Sequence, residues 1–154
     1  TGHVYPNAAE ALRHWQAAGI ALYVYSSGSV QAQRLLFGHS DLGDLTPLLA
    51  GYFDTTTGPK READSYTRIV EAISQAPEEV LFLSDVIAEL DAARAAGLAT
   101  CQLVREPGMV TGDHPVATRF DEVSVDGMGV DGVSVDPSGL DEARFESGGS
   151  DVRR

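Results

Sequence analysis

Ala21-Leu22-Tyr23-Val24-Tyr25-Ser26-Ser27-Gly28-Ser29 is the stretch on which the fold turns. Its first part is apolar and β-favouring with no polar alternation, the pattern of a strand covered on both faces. It stops abruptly in hydroxyls and a glycine. A helical pattern over residues 30–37 begins directly behind, with Ser29 as its N-cap. In an open α/β sheet the carboxyl end of such a strand is where ligands sit. Ser26, Ser27 and the backbone N–H groups of Gly28 and Ser29 suit an anion, most often a phosphate. A plain turn and N-cap fits the same residues equally well.

Working outward, the chain alternates. Before the stretch, residues 1–6 read as extended, and Asn7 with Glu10 forms a capping-box-like pair. Leu12, Trp15 and Ala18 then follow at helical spacing until Gly19. After it, residues 44–49 read as a short helix and Tyr52-Phe53 as a brief strand. A polar loop over 54–60 ends in Lys60. A helix opens at Asp64 or Ser65, with Ile69, Val70 and Ile73 as its buried stripe, and a turn follows at 76–79. Residues 80–83 form a second fully apolar strand, which stops at Ser84-Asp85. A helix carrying Leu90, Ala93 and Ala96 runs to Gly97, a strand covers 98–104, a Gly/Pro loop 105–114, and a last edge strand 120–123. This alternation predicts right-handed crossovers, a parallel sheet flanked by helices, and an α/β core over residues 1–124.

From residue 125 the composition changes. Val125-Asp126, Val130-Asp131, Val135-Asp136 and Leu140-Asp141 recur at a period that matches neither helix nor strand, with glycines between them. Residues 125–154 are therefore expected to be an acidic, Gly-rich disordered tail.

Bulk properties narrow the function. The 154 residues carry a formal charge of −12, which disfavours nucleic acid as a partner. No apolar run approaches the roughly 20 residues that span a bilayer. The opening residues lack the pattern of a secretory signal. Cys101 is the single cysteine, so neither an internal disulfide nor a cysteine-built metal site is expected. These features favour a reducing, cytoplasmic setting.

Three chemistry-bearing elements remain. Ser26 can donate to a phosphoryl oxygen, and Lys60 can neutralise charge that builds there. Asp85, with Glu89 four residues on, offers hard oxygen ligands for Mg²⁺. Plainer readings stand beside each: Ser84 or Asp85 as an N-cap, Lys60 as a solvated loop charge, Glu89 as half of a surface ion pair.

The order strand-Ser, Lys, strand-Asp resembles the later motifs of the haloacid-dehalogenase-like phosphatases. The strings are closest to the enolase-phosphatase (acireductone synthase) branch of methionine salvage. They are His3-Val4-Tyr5-Pro6, Tyr25-Ser26-Ser27-Gly28-Ser29-Val30, Leu35-Leu36-Phe37-Gly38-His39-Ser40, Gly51-Tyr52-Phe53-Asp54-Thr55, Lys60 and Phe82-Leu83-Ser84-Asp85-Val86. The likeness runs from about residue 2 to residue 123 in order. It implies a Rossmann-like core acting on a small phosphorylated metabolite. Ser26, Ser27 and Gly28 would bind substrate phosphate. Lys60 would bridge phosphate and nucleophile, and Asp85, with Glu89, would hold Mg²⁺. The implied reaction is enolisation and dephosphorylation of 2,3-diketo-5-methylthiopentyl 1-phosphate to the acireductone.

The family's nucleophile lies in an Asp-x-Asp motif after its first strand, and no buried strand ending that way is read in this chain. The expectation is a partial core without the first strand and the cap, with strand edges left open in mid-sheet and no activity alone. Truncation, a split gene and a start assigned too far downstream each account for this, and under a split gene the partner is a separately encoded N-terminal half. Three rivals share some of these features. One is a related phosphatase for another metabolite such as a sugar phosphate; another is a non-catalytic phosphate-binding fragment. The third is a response-regulator-like domain, against which the Ser-Ser-Gly-Ser string counts.

Overall fold

A computed structural model describes residues 6–26, 29–39, 43–104, 108–118, 123 and 132–135. Helix α1 (Pro6–Ala17) leads into β1 (Ala21–Tyr25) and α2 (Val30–Gly38). A 3₁₀ turn at Thr46–Leu48 precedes β2 (Gly51–Phe53). Then follow α3 (Ala63–Ala72), a second 3₁₀ turn at Pro77–Glu79, β3 (Val80–Ser84), α4 (Ile87–Ala95) and β4 (Ala99–Leu103). Two short strands complete the set, β5 (Val116–Ala117) and β6 (Gly132–Val135).

All six strands run parallel in the order β2-β1-β6-β3-β4-β5. Helices cover both faces. Leu22, Val24, Leu81, Leu83, Leu103 and Val133 pack with Ala9, Leu12 and Trp15 of α1 and Phe37 of α2. On the opposite face Tyr25, Val80 and Phe82 pack with Tyr66, Ile69 and Val70 of α3 and Leu90 and Ala93 of α4. The parallel α/β sheet read from the alternation is thus the observed architecture.

The principal departure is β6. Its four residues fall in the stretch expected to be a disordered tail, yet they form an inner strand of the sheet. Val133 pairs in register with Leu22 on one side and Leu81 on the other. Mid-sheet edges expected to stand open are therefore closed, and β1 and β3 are separated by one strand rather than adjacent. The pentad spacing hid this strand, because Gly-Val-Ser-Val is too short to establish a period of two. Residues 124–131 and 136–154 lie outside the described residues.

Smaller differences concern ends. Helix α1 already includes Pro6 and Asn7, so Asn7 is not its N-cap; proline suits a first helical turn. The expected helix over 44–49 is a single 3₁₀ turn, too short for an α-helical hydrogen-bond ladder. A short strand pairs at Val116–Ala117; of the edge strand expected over 120–123, residues 120–122 lie outside the described residues, and Val123 is buried. Ser29 caps α2 as read, accepting from Ala32 N at 3.1 Å. No described helix is long and apolar enough to cross a membrane.

Candidate active site at the carboxyl rim

Because every strand runs the same way, β1, β2 and β3 release their chains on one rim. Tyr25 pairs with Phe53, and Ser26 N donates to Phe53 O at 3.0 Å, so Ser26 and Asp54 start their loops side by side. Val135 of β6 faces Val24 and Leu83. That register puts Tyr25 level with Ser84, and Ser26 level with Asp85. Their backbones stand two strand spacings apart, about 10 Å. Ser27 and Gly28 lie outside the described residues.

Lys60 comes to this rim from the β2–α3 loop and is not a solvated charge. Its side chain is 9% exposed, and Nζ lies 3.4 Å from Glu89 Oε1, whose side chain is 10% exposed. The ammonium also sits over the Tyr25 ring, 5.7 Å from its centroid. Glu89 is fixed from a second side, since Ser84 Oγ donates to Oε1 at 3.2 Å. The Ser84 hydroxyl in turn accepts from Val86 N at 3.0 Å. Lys60, Glu89 and Ser84 thus form one buried chain of contacts directly beside Asp85, which is itself 9% exposed.

The other two plainer readings do not hold either. The N-cap position of α4 is Val86 with no side-chain cap, so neither Ser84 nor Asp85 fills it. Glu89 makes an ion pair, but a buried one across elements rather than on a helix surface. Helix α4 begins at Ile87, so Asp85 precedes it and the two acids do not share a helix face. Asp85 offers a carboxylate at the rim, the hard donor Mg²⁺ requires, whereas the Glu89 carboxylate is turned to the ammonium.

Sequence reading passed over several residues here. Asp54 Oδ2 accepts from Val30 N at 3.2 Å, a helix N-terminus favourable to a negative charge. Its Oδ1 accepts from the Thr56 hydroxyl and, at 3.0 Å, from Thr56 N; these two bonds hold the Asp54 carboxyl below the usual carboxylate range. The Asp-Thr-Thr run after a short strand was the available signal. Tyr25 read only as a strand residue. Its hydroxyl donates to Gly58 O, and burial pushes the phenol pKa up, against the opposing pull of Ser65 and of the Lys60 charge.

A second polar group lies on α4 and the loop before β5. Buried His114 contacts Thr100 Oγ1 through Nδ1 and Asp91 Oδ1 through Nε2, each at 2.7 Å. Arg94 reaches Asp113 at 3.1 Å and Asp91 at 3.6 Å. Asp91, Asp113 and His114 have the atoms to ligate a metal, but a guanidinium already contacts both carboxylates. We read this group as the fastening of the loop onto α4.

Comparison with known proteins agrees with this architecture. The family model of haloacid dehalogenase-like hydrolases matches residues 1–97. The enolase-phosphatase E1 of Azotobacter vinelandii is 62% identical over 122 residues, covering 79% of this chain and 53% of that protein. The enolase-phosphatase E1 of Pseudomonas fluorescens is 64% identical over 111 residues, covering 72% and 49%. The chain spans about half the length of these curated relatives. Among solved structures, the UTR4 protein of Saccharomyces cerevisiae superposes with a TM-score of 0.69 at 37% identity, over 79% of this chain and 57% of that one.

Proposed function

Since the chain belongs to the haloacid dehalogenase-like hydrolase family, we propose that its carboxyl rim is the phosphoryl-handling half of an enolase-phosphatase. The substrate is 2,3-diketo-5-methylthiopentyl 1-phosphate, and the product of enolisation and dephosphorylation is the acireductone. The supporting observation is the buried Lys60–Glu89 pair set beside Asp85 where β1 and β3 end. A cation withdrawn from water beside a buried carboxylate is costly to hold, and such a cost is met where charge must be stabilised in place.

In this reading Ser26, with Ser27 and Gly28, donates to the phosphoryl oxygens. Lys60 neutralises the charge that develops on the phosphoryl group, and Glu89 keeps its ammonium at that position. Asp85 is the ligand this chain offers to Mg²⁺; Glu89 is its second acid only if it releases Lys60. Bound Mg²⁺ supplies charge neutralisation and orientation of the phosphoryl group. The attacking carboxylate is proposed to come from a polypeptide segment corresponding to the part of the relatives that this chain does not span. The setting is proposed to be cytoplasmic.

The test combines the purified chain with a polypeptide covering the unmatched part of the Azotobacter vinelandii relative. Release of inorganic phosphate and the ultraviolet absorbance of the acireductone are followed with and without Mg²⁺. Turnover that needs both polypeptides and Mg²⁺, and is lost in Asp85→Ala, is the expected result. Turnover unchanged by Asp85→Ala, or no turnover together with no binding of phosphate by the chain, rejects the assignment.

A further inference from the structure

The loop over 54–60 is polar and rich in threonine, with Gly58 and Pro59 before Lys60. That composition ordinarily leaves a loop many conformations. Here four successive carbonyls are each held by a side chain. Arg68 Nη1 donates to Thr57 O at 2.9 Å, the Tyr25 hydroxyl to Gly58 O, Ser65 Oγ to Pro59 O at 2.6 Å, and the Tyr66 hydroxyl to Lys60 O at 2.6 Å. Three of these donors stand on α3. The fourth comes from the end of β1.

Tyr25 differs from the other three in reaching both the backbone of the loop and the ammonium it carries. Its hydroxyl takes the carbonyl two residues before Lys60, while its ring lies beneath Nζ. The ring cannot follow a moving loop. It is fully buried and stands edge-on to Tyr66, with centroids 5.5 Å apart at 76°. The next residue in the chain is Ser26.

We infer that Tyr25 is a positioning residue for Lys60. Its hydroxyl sets the loop backbone and its ring face seats the ammonium. The same strand end therefore fixes the separation of the Ser26 hydroxyl from the Lys60 charge before any anion arrives. Such preorganisation is what a group acting by charge and orientation needs. The inference rests on the proposed role of Lys60, but its test does not need turnover.

Lys60 is the only lysine in the chain. Acylation by an activated acetyl ester is therefore read at one side chain by mass spectrometry, with the α-amino group as internal reference. Tyr25→Phe removes the hydroxyl and keeps the ring; Tyr25→Leu removes both. Loss of one buried hydrogen bond is expected to raise Lys60 acylation about fivefold in Tyr25→Phe. Loss of the ring face as well raises it by a further few-fold in Tyr25→Leu, about threefold. Ile69→Val, which trims the same core at a residue that makes none of the four loop hydrogen bonds, serves as the stability-matched control. Its Lys60 acylation should stay at the parent rate. Two results overturn the inference: Tyr25→Phe acylated at the parent rate, or Ile69→Val accelerated as much as Tyr25→Phe at equal loss of stability. Protection of Lys60 by inorganic phosphate with Mg²⁺, read in the same parent samples, reports on the proposed function alone, so the two readings fail separately.

Discussion

Replacing Glu89 by glutamine isolates the charge of the buried pair, because the amide oxygen can still accept from Ser84 Oγ. At the observed 3.4 Å between Nζ and Oε1, the gross attraction is about 5 kcal/mol for an effective dielectric of about 20. The cost of desolvating both charges offsets much of that in the native pair. Glu89→Gln forfeits that attraction while Lys60 stays 9% exposed, so the ammonium loses the Glu89 charge without gaining water in its place. Breaking a buried pair from one side costs about 3–5 kcal/mol, and water at the partly open rim places the expectation at the lower end, about 3 kcal/mol. With a urea slope of about 2 kcal/mol/M, the midpoint falls by about 1.5 M. The double variant Lys60→Met with Glu89→Gln removes the ammonium as well and should recover at least half of the loss. The assay is equilibrium urea unfolding of these three proteins at neutral pH. A Glu89→Gln midpoint within about 0.2 M of the parent would mean that Glu89 does not hold the Lys60 charge, and the argument from the buried pair would collapse.

Three further outcomes are expected. Gly58 has φ +147°, and a Cβ there would stand 2.3 Å from Ser65 Oγ and 2.8 Å from Arg68 Nη1; Gly58→Ala should therefore cost about 2–4 kcal/mol in urea unfolding, from backbone strain and displaced loop hydrogen bonds. Ser134 in β6 is 1% exposed and its Oγ has no hydrogen-bond partner among the described residues, so Ser134→Ala should raise stability by about 1 kcal/mol, and a loss on removing the hydroxyl would show that it is satisfied. The Asp54 carboxyl titrates lower in the folded chain than unfolded; its contribution is thus complete above the ordinary carboxylate range and disappears as pH falls through the depressed folded value, and acid unfolding of Asp54→Asn should show a shallower pH dependence there than the parent.

Much of the sheet was legible because β1 and β3 are almost wholly apolar and each gives way to a serine. Val80–Ser84 is buried along its whole length, and in Ala21–Tyr25 only Ala21 and Tyr23 are partly exposed; composition alone registers such burial. Register and order were not legible. They depend on β6, whose Gly132 and Ser134 dilute the apolar signal and whose neighbours in the sheet lie about a hundred and about fifty residues away along the chain. At the rim, Lys60 and Asp85 were found from residue type and order. Their environment was not, because burial of Lys60 depends on α4 turning Glu89 inward and on Tyr25 lying beneath the ammonium. Glu89 shows the limit most clearly: its spacing from Asp85 pointed to shared metal ligation, and only the start of α4 at Ile87 separates the two.

The position of β6 also bears on biogenesis. Synthesis delivers β1 and β3 long before the Gly132–Val135 segment that joins them. A nascent chain carries both with exposed hydrogen-bonding edges until that segment emerges, and the closing contacts then span about a hundred residues of intervening chain. The two flanks are therefore made before the strand that zips them together, an interval in which open edges give chaperones the most to hold.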